Sequence, residues 1–140
     1  MLRISKMTDY AVLILANLAL HDKNLLTAKE IASETHISLP TVQKILKKLN
    51  RKSLVASKQG ASGGYALAAD TKNISVADLL MKLDGDLSIT QCSSDEDQCQ
   101  VEDFCNIGNA WQMINQRVQW ALNDITLGDL IQPTRIEQFI

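Results

Sequence analysis

The sequence predicts a mainly α-helical fold, and three observations support this prediction. Apolar residues recur at helical spacing in several separate segments of the 140-residue chain. Residues that favour helix N-termini stand directly before most of these segments. Strand-like patterns are confined to two short runs near residue 60, on either side of a cluster of glycines. The length suits one domain, or a small domain with an extension.

The first two helices are predicted from periodicity and from a capping motif. Helix one is expected from about Lys6 to Leu20, and the second helix over residues 28–35. Thr27 and Glu30 form a capping box, in which each side chain can accept a hydrogen bond from the backbone N–H of the other residue. The residues expected on the buried faces are Tyr10, Leu13, Ile14 and Leu18 in helix one, with Ile31 and Ala32 in helix two.

The third helix follows a turn at residues 35–37. Ser38 is expected to cap it, and Pro40 fits its first turn because those backbone N–H groups lack intrahelical partners. One face is apolar, with Val42, Ile45, Leu46 and Leu49. The remainder is polar or basic, with Thr41, Gln43, Lys44, Lys47, Lys48 and Arg51. Two short helices joined by a tight turn, the second basic on its outer face, predict a helix-turn-helix.

Two short strands are predicted directly after the third helix. They cover residues 54–58 and 65–68, and the connection between them contains Gly60, Gly63 and Gly64. Glycines allow backbone conformations with positive φ and let a backbone approach a phosphate closely. In this position the hairpin predicts the wing of a winged helix-turn-helix.

The second half of the chain is expected to hold a loop and a long helix. Ser75 caps a helix that ends near Asp84, and the acidic segment from Asp86 to Asp103 lacks helical periodicity. An apolar stripe then runs for five turns, through Ile107, Ala110, Trp111, Ile114, Val118, Ala121, Leu122 and Ile125. Such a stripe favours packing against a second copy in a two-fold dimer, although folding back on its own domain is an alternative. Thr126 and Asp129 begin a last short helix.

These elements divide the chain into four regions. Residues 1–85 form a winged helix-turn-helix domain, and residues 86–105 form a loop that carries the cysteines. Residues 106–131 form a dimerisation helix region, and residues 132–140 form a tail.

Charge is distributed very unevenly along the chain. Residues 1–60 hold ten Lys or Arg and four Asp or Glu, a formal charge of +6. Residues 61–140 hold four Lys or Arg and twelve Asp or Glu, a formal charge of −8. A basic first part in an otherwise acidic protein indicates a localised surface for a polyanion such as DNA. A lysine-rich solvated surface without a partner is the alternative.

The chain has three cysteines, Cys92, Cys99 and Cys105, all within fourteen residues. An odd number argues against a disulfide framework, and no secretory signal precedes them. Clustered thiolates suit zinc, copper(I) or iron–sulfur clusters. Structural zinc sites generally show Cys-x2-Cys pairs and four ligands, so spacings of six and five favour a labile, incompletely ligated centre. A set of unliganded cysteines is the alternative.

Several classes of protein fit the sequence poorly. No apolar run approaches the ~20 residues that span a bilayer, and the clustered thiols suit a reducing compartment, so a cytoplasmic location is expected. We find no nucleophile–base pair, no phosphate-binding loop and no Cys-x-x-Cys motif. We therefore expect neither an enzyme nor a membrane partner nor a small-molecule substrate.

Over about residues 1–131 the chain resembles the family of winged-helix regulators that includes the iron–sulfur cluster regulator IscR and the nitric-oxide-sensing repressor NsrR. It looks closest to the subgroup that regulates the SUF iron–sulfur assembly operon. Besides the three cysteines, the motifs that carry the resemblance are Leu2-Arg-Ile-Ser-Lys6, Asp9-Tyr-Ala11, Ile37-Ser-Leu-Pro40, Gly60-Ala-Ser-Gly-Gly-Tyr65 and Ile125-Thr-Leu-Gly-Asp-Leu130.

The resemblance implies a homodimeric transcription factor, often a repressor, that binds an iron–sulfur cluster. A [2Fe-2S] cluster is favoured and a [4Fe-4S] cluster is possible, with Cys92, Cys99 and Cys105 as ligands. IscR has a histidine where this chain has Gly108, which leaves the fourth ligand open. Asp9 matches the aspartate that the nitric-oxide-sensing branch contributes from the partner subunit. The competitors are an exogenous thiol, water, or a loop acid among Asp95, Glu96, Asp97, Glu102 and Asp103.

The expected DNA contacts divide into three groups. Base reading falls to the N-terminal end of the third helix, at Ser38, Pro40, Thr41 and Gln43. Phosphate contacts fall to Lys44, Lys47, Lys48 and Arg51. Flanking contacts fall to the wing, at Lys58, Gly60, Ser62, Gly63 and Gly64. The expected function is regulation of iron–sulfur assembly genes in response to cluster status or to redox or nitrosative stress. The alternative is a thiol-based redox switch on DNA that never binds a cluster.

Overall fold

The computed structural model describes residues 3–21, 24–96 and 98–132. Within these ranges the fold is mainly helical, with one antiparallel two-stranded sheet, so the predicted class is confirmed. The helices are α1 (Lys6–Leu20), α2 (Ala28–Thr35), α3 (Leu39–Arg51), α4 (Val76–Asp84), α5 (Gly108–Asp124) and α6 (Leu127–Ile131). The strands are β1 (Val55–Lys58) and β2 (Gly64–Leu67), paired from Val55–Leu67 to Lys58–Gly64.

The core lies between α1, α2, α3 and the sheet. Ile14 and Leu15 of α1, Ile31 of α2 and Leu46 of α3 are fully buried there. Burying a Leu or Ile side chain stabilises a fold by roughly 1.5–3 kcal/mol, so these residues supply a large share of its stability. The last described helix, α6, returns to α1 and buries Leu127 completely.

The C-terminal end of α5 is joined to the start of α4 by backbone hydrogen bonds. The Val76 N–H donates to the Ile125 carbonyl at 2.7 Å, and the Leu127 N–H donates to the Ile74 carbonyl at 2.9 Å. These bonds form a short antiparallel bridge between Ser75 and Thr126. The long helix is therefore attached directly to the winged-helix domain at this end.

The predicted capping box of α2 is present, and α6 begins with a second capping box. The Thr27 and Glu30 pair forms hydrogen bonds of 2.7 and 3.2 Å, and Thr126 and Asp129 form the same motif at the start of α6. Ser38 occupies the N-cap position of α3, but its hydroxyl caps no backbone N–H and instead shares a hydrogen bond with the Thr41 hydroxyl at 2.8 Å. Ser38 is therefore the N-cap residue, as predicted, but its side chain makes no capping hydrogen bond.

The buried face of α1 is made of partly different residues from those predicted. Ile14 and Leu18 are buried, and Tyr10 is half-buried, but Leu13 exposes 45% of its surface. Periodicity places Leu13 beside Ile14, but the neighbouring elements, which are α2, α3, β2, α4 and α6, leave Leu13 uncovered.

The apolar stripe of α5 divides into two parts. Val118 and Leu122 are half-buried, and the helix packs on α4. Trp111 and Ile114 remain 39% and 42% exposed, and Trp120 is exposed as well. The expected packing against a second copy would thus involve the exposed residues of the stripe, such as Trp111 and Ile114.

No helix in the described part of the chain is long and apolar enough to span a membrane. Residues 133–140 of the predicted tail lie outside the described ranges.

Candidate nucleic-acid interface and cysteine loop

The helix α3 presents its predicted DNA-reading side to solvent. Its apolar stripe is buried, which orients the helix so that Pro40, Gln43, Lys44, Lys47 and Arg51 are exposed. Ser38 is exposed and Thr41 is half-buried at the N-terminal end of the helix. A helix with a free N-terminal end and a basic outer face can enter a DNA major groove.

Lys48 has a hydrogen-bond partner within the chain, at the end of α4. Its ammonium donates a hydrogen bond of 2.7 Å to the carbonyl oxygen of Leu83, in the last turn of α4. The carbonyls in the last turn of a helix lack intrahelical partners, and a cation there also interacts favourably with the helix dipole. In this arrangement the Lys48 side chain joins α3 to α4, whereas Lys44 and Lys47 extend into solvent.

The wing is built around two glycines that approach other backbone atoms closely. A Cβ on Gly63 would lie 2.1 Å from the carbonyl oxygen of Lys58, and a Cβ on Gly64 would lie 2.7 Å from that of Leu26. No other residue type fits at these positions without movement of the backbone. Lys58, Gly60 and Ser62 are exposed at the tip, and Gly63 and Gly64 are half-buried.

The first half of the cysteine loop, residues 86–105, is tied to α5 by side chains of that helix. The Gln112 side-chain amide donates to the carbonyl of Cys92 at 3.0 Å, and the Asn115 side-chain oxygen accepts from the Ile89 N–H at 3.1 Å. Asn115 is the one buried residue of α5. These hydrogen bonds fix the segment around Cys92 on the helix.

The three cysteines are free thiols and are all half-buried. Cys92 lies in a turn at Gln91–Ser93, where its sulfur is 3.2 Å from the Thr90 hydroxyl. Cys105 follows a second turn, Glu102–Phe104, and its N–H donates to the Glu102 carbonyl. A Cβ on Gly108 would lie 3.8 Å from the Cys105 sulfur, so the position that lacks the expected histidine does lie next to a predicted ligand.

The donor chemistry fits an iron–sulfur cluster, but the described residues do not form a preassembled site. Three free, accessible thiols on one segment are the soft ligands that such clusters require. Across residues 3–21, 24–96 and 98–132, no three Cys, His, Asp or Glu side chains are grouped so that they could hold a metal ion.

The predicted fourth ligand lies away from this loop in the chain. Asp9 is exposed in the first turn of α1, where a carboxylate also interacts favourably with the helix N-terminus. Of the competing loop acids, Asp95, Glu96, Glu102 and Asp103 are exposed, and Asp97 lies outside the described residues.

A group of polar contacts joins the start of α1 to the end of α4. The hydroxyls of Thr8 and Ser5 donate to one Asp84 oxygen at 2.6 and 2.9 Å. Partial burial opposes ionisation of Asp84, but these hydrogen bonds and the nearby Lys48 charge hold its pKa below the ordinary value of 3.8. These hydrogen bonds hold the end of α4 against the start of α1, two residues before the cysteine loop begins.

Sequence reasoning missed Asp84, Asn115 and the role of Lys48. Asn115 did leave a signal, because it is a polar residue among the apolar positions of α5 and buried polar groups generally have partners. Asp84 left none, because its partners Ser5 and Thr8 are almost eighty residues away in the chain.

A family model described as Rrf2, an iron-dependent transcriptional regulator, matches residues 4–133. The chain is 31% identical over 136 residues to the HTH-type transcriptional regulator IscR of Vibrio atlanticus. The alignment covers 96% of this chain and 78% of that protein. It is 32% identical over 136 residues to the IscR of Sodalis glossinidius, covering 96% of this chain and 82% of that protein.

Solved structures of regulators share this fold. The structure of CymR, the global cysteine regulator of B. subtilis, superposes with a TM-score of 0.73 at 28% identity, covering 94% of this chain and 98% of that chain. The structure of T. potens IscR superposes with a TM-score of 0.71 at 26% identity, covering 95% of this chain and 88% of that chain.

Proposed function

The chain belongs to the Rrf2 family of iron-dependent transcriptional regulators, and from this premise we propose that it is a homodimeric repressor that responds to an iron–sulfur cluster. As a member of this family it is a DNA-binding regulator and not an enzyme. We further propose that its targets include genes of iron–sulfur cluster assembly. The observation that carries the cluster proposal is the placement of three free thiols on one segment that is hydrogen-bonded to α5.

Cys92, Cys99 and Cys105 would hold the cluster, and Asp9 of a second subunit would complete the ligand set. The cluster supplies a centre that is lost or modified by oxidants and nitric oxide. The chain itself supplies accessible thiols, a loop that is attached to α5 at one end, and a carboxylate on an exposed helix face. We propose a [2Fe-2S] cluster first and a [4Fe-4S] cluster second, since both take four protein ligands.

DNA binding is assigned to α3 and the wing. The exposed residues Lys44, Lys47 and Arg51 would neutralise phosphates, while Gln43 and Thr41 would face base edges. Since α5 is bridged to α4, and α4 is joined to α3 through Lys48, a change in the cysteine loop can alter the position of the reading helix. Coupling of this kind is worth typically ~1–3 kcal/mol.

A thiol switch is the second candidate, and one observation favours it. The three thiols are accessible but not grouped for a metal within the described residues. Two of them could form a disulfide under oxidation, and the loop would change without any inorganic centre. A structure of the oxidised form of S. aureus CymR, which superposes with a TM-score of 0.65 at 25% identity, is a relevant comparison for this candidate.

The experiment that separates the candidates starts from anaerobically purified full-length protein. Iron, sulfide and the visible absorption spectrum are measured, and single Cys→Ser variants at positions 92, 99 and 105 are compared with it. We expect cluster bands with stoichiometric iron and sulfide, and the loss of both in each variant. Colourless, metal-free protein that gains an intramolecular disulfide on mild oxidation would establish the thiol switch instead.

Two matched variants test the fourth ligand. Asp9→Asn is expected to shorten the lifetime of the reconstituted cluster in air, because one ligand is weakened. Asp78→Asn changes an exposed carboxylate in the first turn of α4 and is expected to leave the lifetime unchanged. Equal lifetimes for all three proteins would exclude Asp9 as a ligand.

DNA recognition is tested by selection of binding sites from random duplexes. A dimer with two equivalent reading helices is expected to enrich a palindrome whose half-sites are about one helical turn apart. Failure to enrich any sequence with both the apo and the reconstituted protein would contradict the assignment of α3 as the reading helix.

A further inference from the structure

A cavity of about 340 Å³ lies where four parts of the chain meet. Its walls come from the residues just before α1, from the second half of α4, from the first residues of the cysteine loop and from α5. Ligand sites in proteins usually measure about 300–1,000 Å³, so this volume suits a small molecule. The exposed residues Trp111 and Ile114 of the proposed dimer face do not line it.

One part of the cavity wall is apolar. Leu80 of α4 is only 3% exposed, and Val118 and Leu122 of α5 are half-buried. Leu87, at the start of the cysteine loop, is half-buried as well. An aliphatic group that contacts these side chains is removed from water, and the gain grows with the apolar area covered. This part of the wall therefore favours an aliphatic group on the ligand.

The wall also carries one cation, Arg3. This side chain is exposed and has neither an ion-pair nor a hydrogen-bond partner among residues 3–21, 24–96 and 98–132. A guanidinium binds a carboxylate with two parallel hydrogen bonds and fixes its orientation. Arg3 thus supplies a position for a negatively charged group on the ligand.

Two carboxylates, Asp84 and Asp86, supply negative charge to the same cavity. Hydrogen bonds from Ser94 and Ser88 hold the pKa of Asp86 below its ordinary value of 3.8. Partial burial opposes ionisation of Asp84, but its hydrogen bonds also bring its pKa below that value. Both groups are therefore ionised at neutral pH and attract a cation.

Asp84 retains an acceptor that its partners in the chain use only weakly. One of its oxygens accepts from the hydroxyls of Ser5 and Thr8 at 2.9 and 2.6 Å. The other oxygen has only a 3.4 Å contact with the Ser5 N–H. A carboxylate oxygen has two lone pairs, so Asp84 can accept a further hydrogen bond from an ammonium group.

We propose that this cavity binds a free α-amino acid with an aliphatic side chain as an effector. The carboxylate of the amino acid pairs with Arg3, its ammonium group pairs with Asp84 and Asp86, and its side chain lies on the apolar part of the wall. A simple amine leaves the guanidinium without a partner, and an aliphatic acid is repelled by the two aspartates. The zwitterion satisfies both kinds of charge.

The cavity adjoins the contacts that link the cysteine loop to the reading helix. Asp84 joins α4 to α1 through Thr8, and the neighbouring Leu83 carbonyl accepts from Lys48 of α3. An amino acid in the cavity would contact α4, α5 and the start of the loop together, and so would bias their arrangement. This consequence for DNA binding rests on the proposed function, whereas binding of the amino acid needs neither a cluster nor DNA.

Binding is tested by calorimetric titration of metal-free, full-length protein with L-leucine, L-isoleucine and L-valine. We expect at least one of them to bind with a dissociation constant below about 1 mM. Amide shifts in NMR spectra should place it beside Leu87, Val118 and Leu122. No binding by any of the three, or shifts confined to another surface, would overturn the proposal.

Two analogues of the amino acid that binds most tightly test the two charged groups. For L-leucine these are isopentylamine, which lacks the carboxylate, and isocaproate, which lacks the ammonium group. Each is expected to bind at least roughly tenfold more weakly than the amino acid. If either analogue bound as tightly as the amino acid, a zwitterion would not be the ligand class.

A matched set of variants assigns the charged groups to residues. Arg3→Gln should weaken binding of the amino acid by roughly tenfold but should not weaken binding of the amine, which makes no use of the guanidinium. Asp86→Asn should weaken both. Lys82→Gln removes an exposed cation of α4 that does not line the cavity, and it should change neither. General damage to the fold would weaken both ligands in Arg3→Gln, and that result would overturn the assignment of Arg3.

Failure of this proposal and failure of the proposed function are distinguishable. If the protein binds no amino acid but still binds a cluster and selects a palindrome, only the assignment of the cavity is wrong. If it binds the amino acid but neither cluster nor DNA, the cavity is an amino-acid site and the proposed function is wrong.

Discussion

The Thr8 hydroxyl donates a 2.6 Å hydrogen bond to the Asp84 carboxylate and so joins the first turn of α1 to the last turn of α4. Thr8 is buried, whereas Asp84 is largely exposed. The contact lies between the helix that carries Asp9 and the start of the cysteine loop. It fixes the end of α4 on α1 two residues before the cysteine loop begins.

Removing the donor should raise the pKa of Asp84. Thr8→Val keeps the shape and burial of the side chain but loses the hydroxyl, so the ionised carboxylate loses its shortest hydrogen bond. NMR titration of the Asp84 carboxyl carbon should show its pKa moving up towards the ordinary value of 3.8. An unchanged titration midpoint would mean that Ser5 alone maintains the shift.

The same carboxylate predicts a dependence of stability on pH. Because the pKa of Asp84 is lowered in the folded state, its contribution is complete above about pH 4 and is lost as the pH falls through the folded-state value. Asp84→Asn should destabilise the protein by about 1 kcal/mol at pH 7 and should have less effect at a low pH at which the folded protein's Asp84 is protonated. Urea unfolding at both pH values measures this difference. A loss of equal size at both would contradict it.

Lys48 and Lys47 should behave differently although they are neighbours in the sequence. Lys47→Met removes an exposed charge and should lower the slope of log affinity against log salt by about 0.9 without loss of stability. Lys48→Met leaves the Leu83 carbonyl without its donor and should destabilise the fold by about 1 kcal/mol with little change in slope. If the Lys48→Met variant had normal stability and a reduced slope, Lys48 would be a DNA contact and not a structural link.

Gly63→Ala should damage the wing without unfolding the domain. The added Cβ would overlap the Lys58 carbonyl oxygen, so the turn between β1 and β2 has to move. Operator affinity should fall by roughly tenfold, or ~1.4 kcal/mol. Ser62→Ala, an exposed change in the same turn, is the control and should cost less than about twofold. Equal operator affinities for the two variants would show that the wing does not contact the DNA.

Asn115 should control the mobility of the first half of the cysteine loop. Asn115→Ala leaves the Ile89 N–H without an acceptor, whereas Asn115→Asp keeps one. Hydrogen exchange of the amides around Ile89 should accelerate about tenfold in the first variant and much less in the second. Equal protection in Asn115→Ala and the wild type would show that Gln112 suffices as the anchor.

Sequence reasoning succeeded where structure is set locally. The bounds of α1 and α2, the capping box of α2 and the wing follow from periodicity, hydroxyl side chains and glycines within a few residues of each other. It failed where structure depends on which elements meet. The exposure of Leu13 is decided by where the other helices and the sheet lie around α1, and no pattern within the helix contains that information.

The candidate site shows the same division. The basic outer face of α3 could be predicted because its buried stripe fixes the orientation of the helix. The different environment of Lys48 could not, because it depends on the end of α4 reaching α3. The cysteines were recognised by residue type and spacing, but their arrangement is a property of the whole loop and of its attachment to α5.

The most direct test of the account is the affinity of the apo and reconstituted dimers for one selected duplex, measured anaerobically at a single salt concentration. Coupling between the cysteine loop and the reading helix predicts that the two affinities differ by about 5- to 150-fold. Cys92→Ser protein taken through the same reconstitution should bind with the affinity of the apo dimer. Equal affinities for the apo and the cluster-loaded wild type would contradict the account.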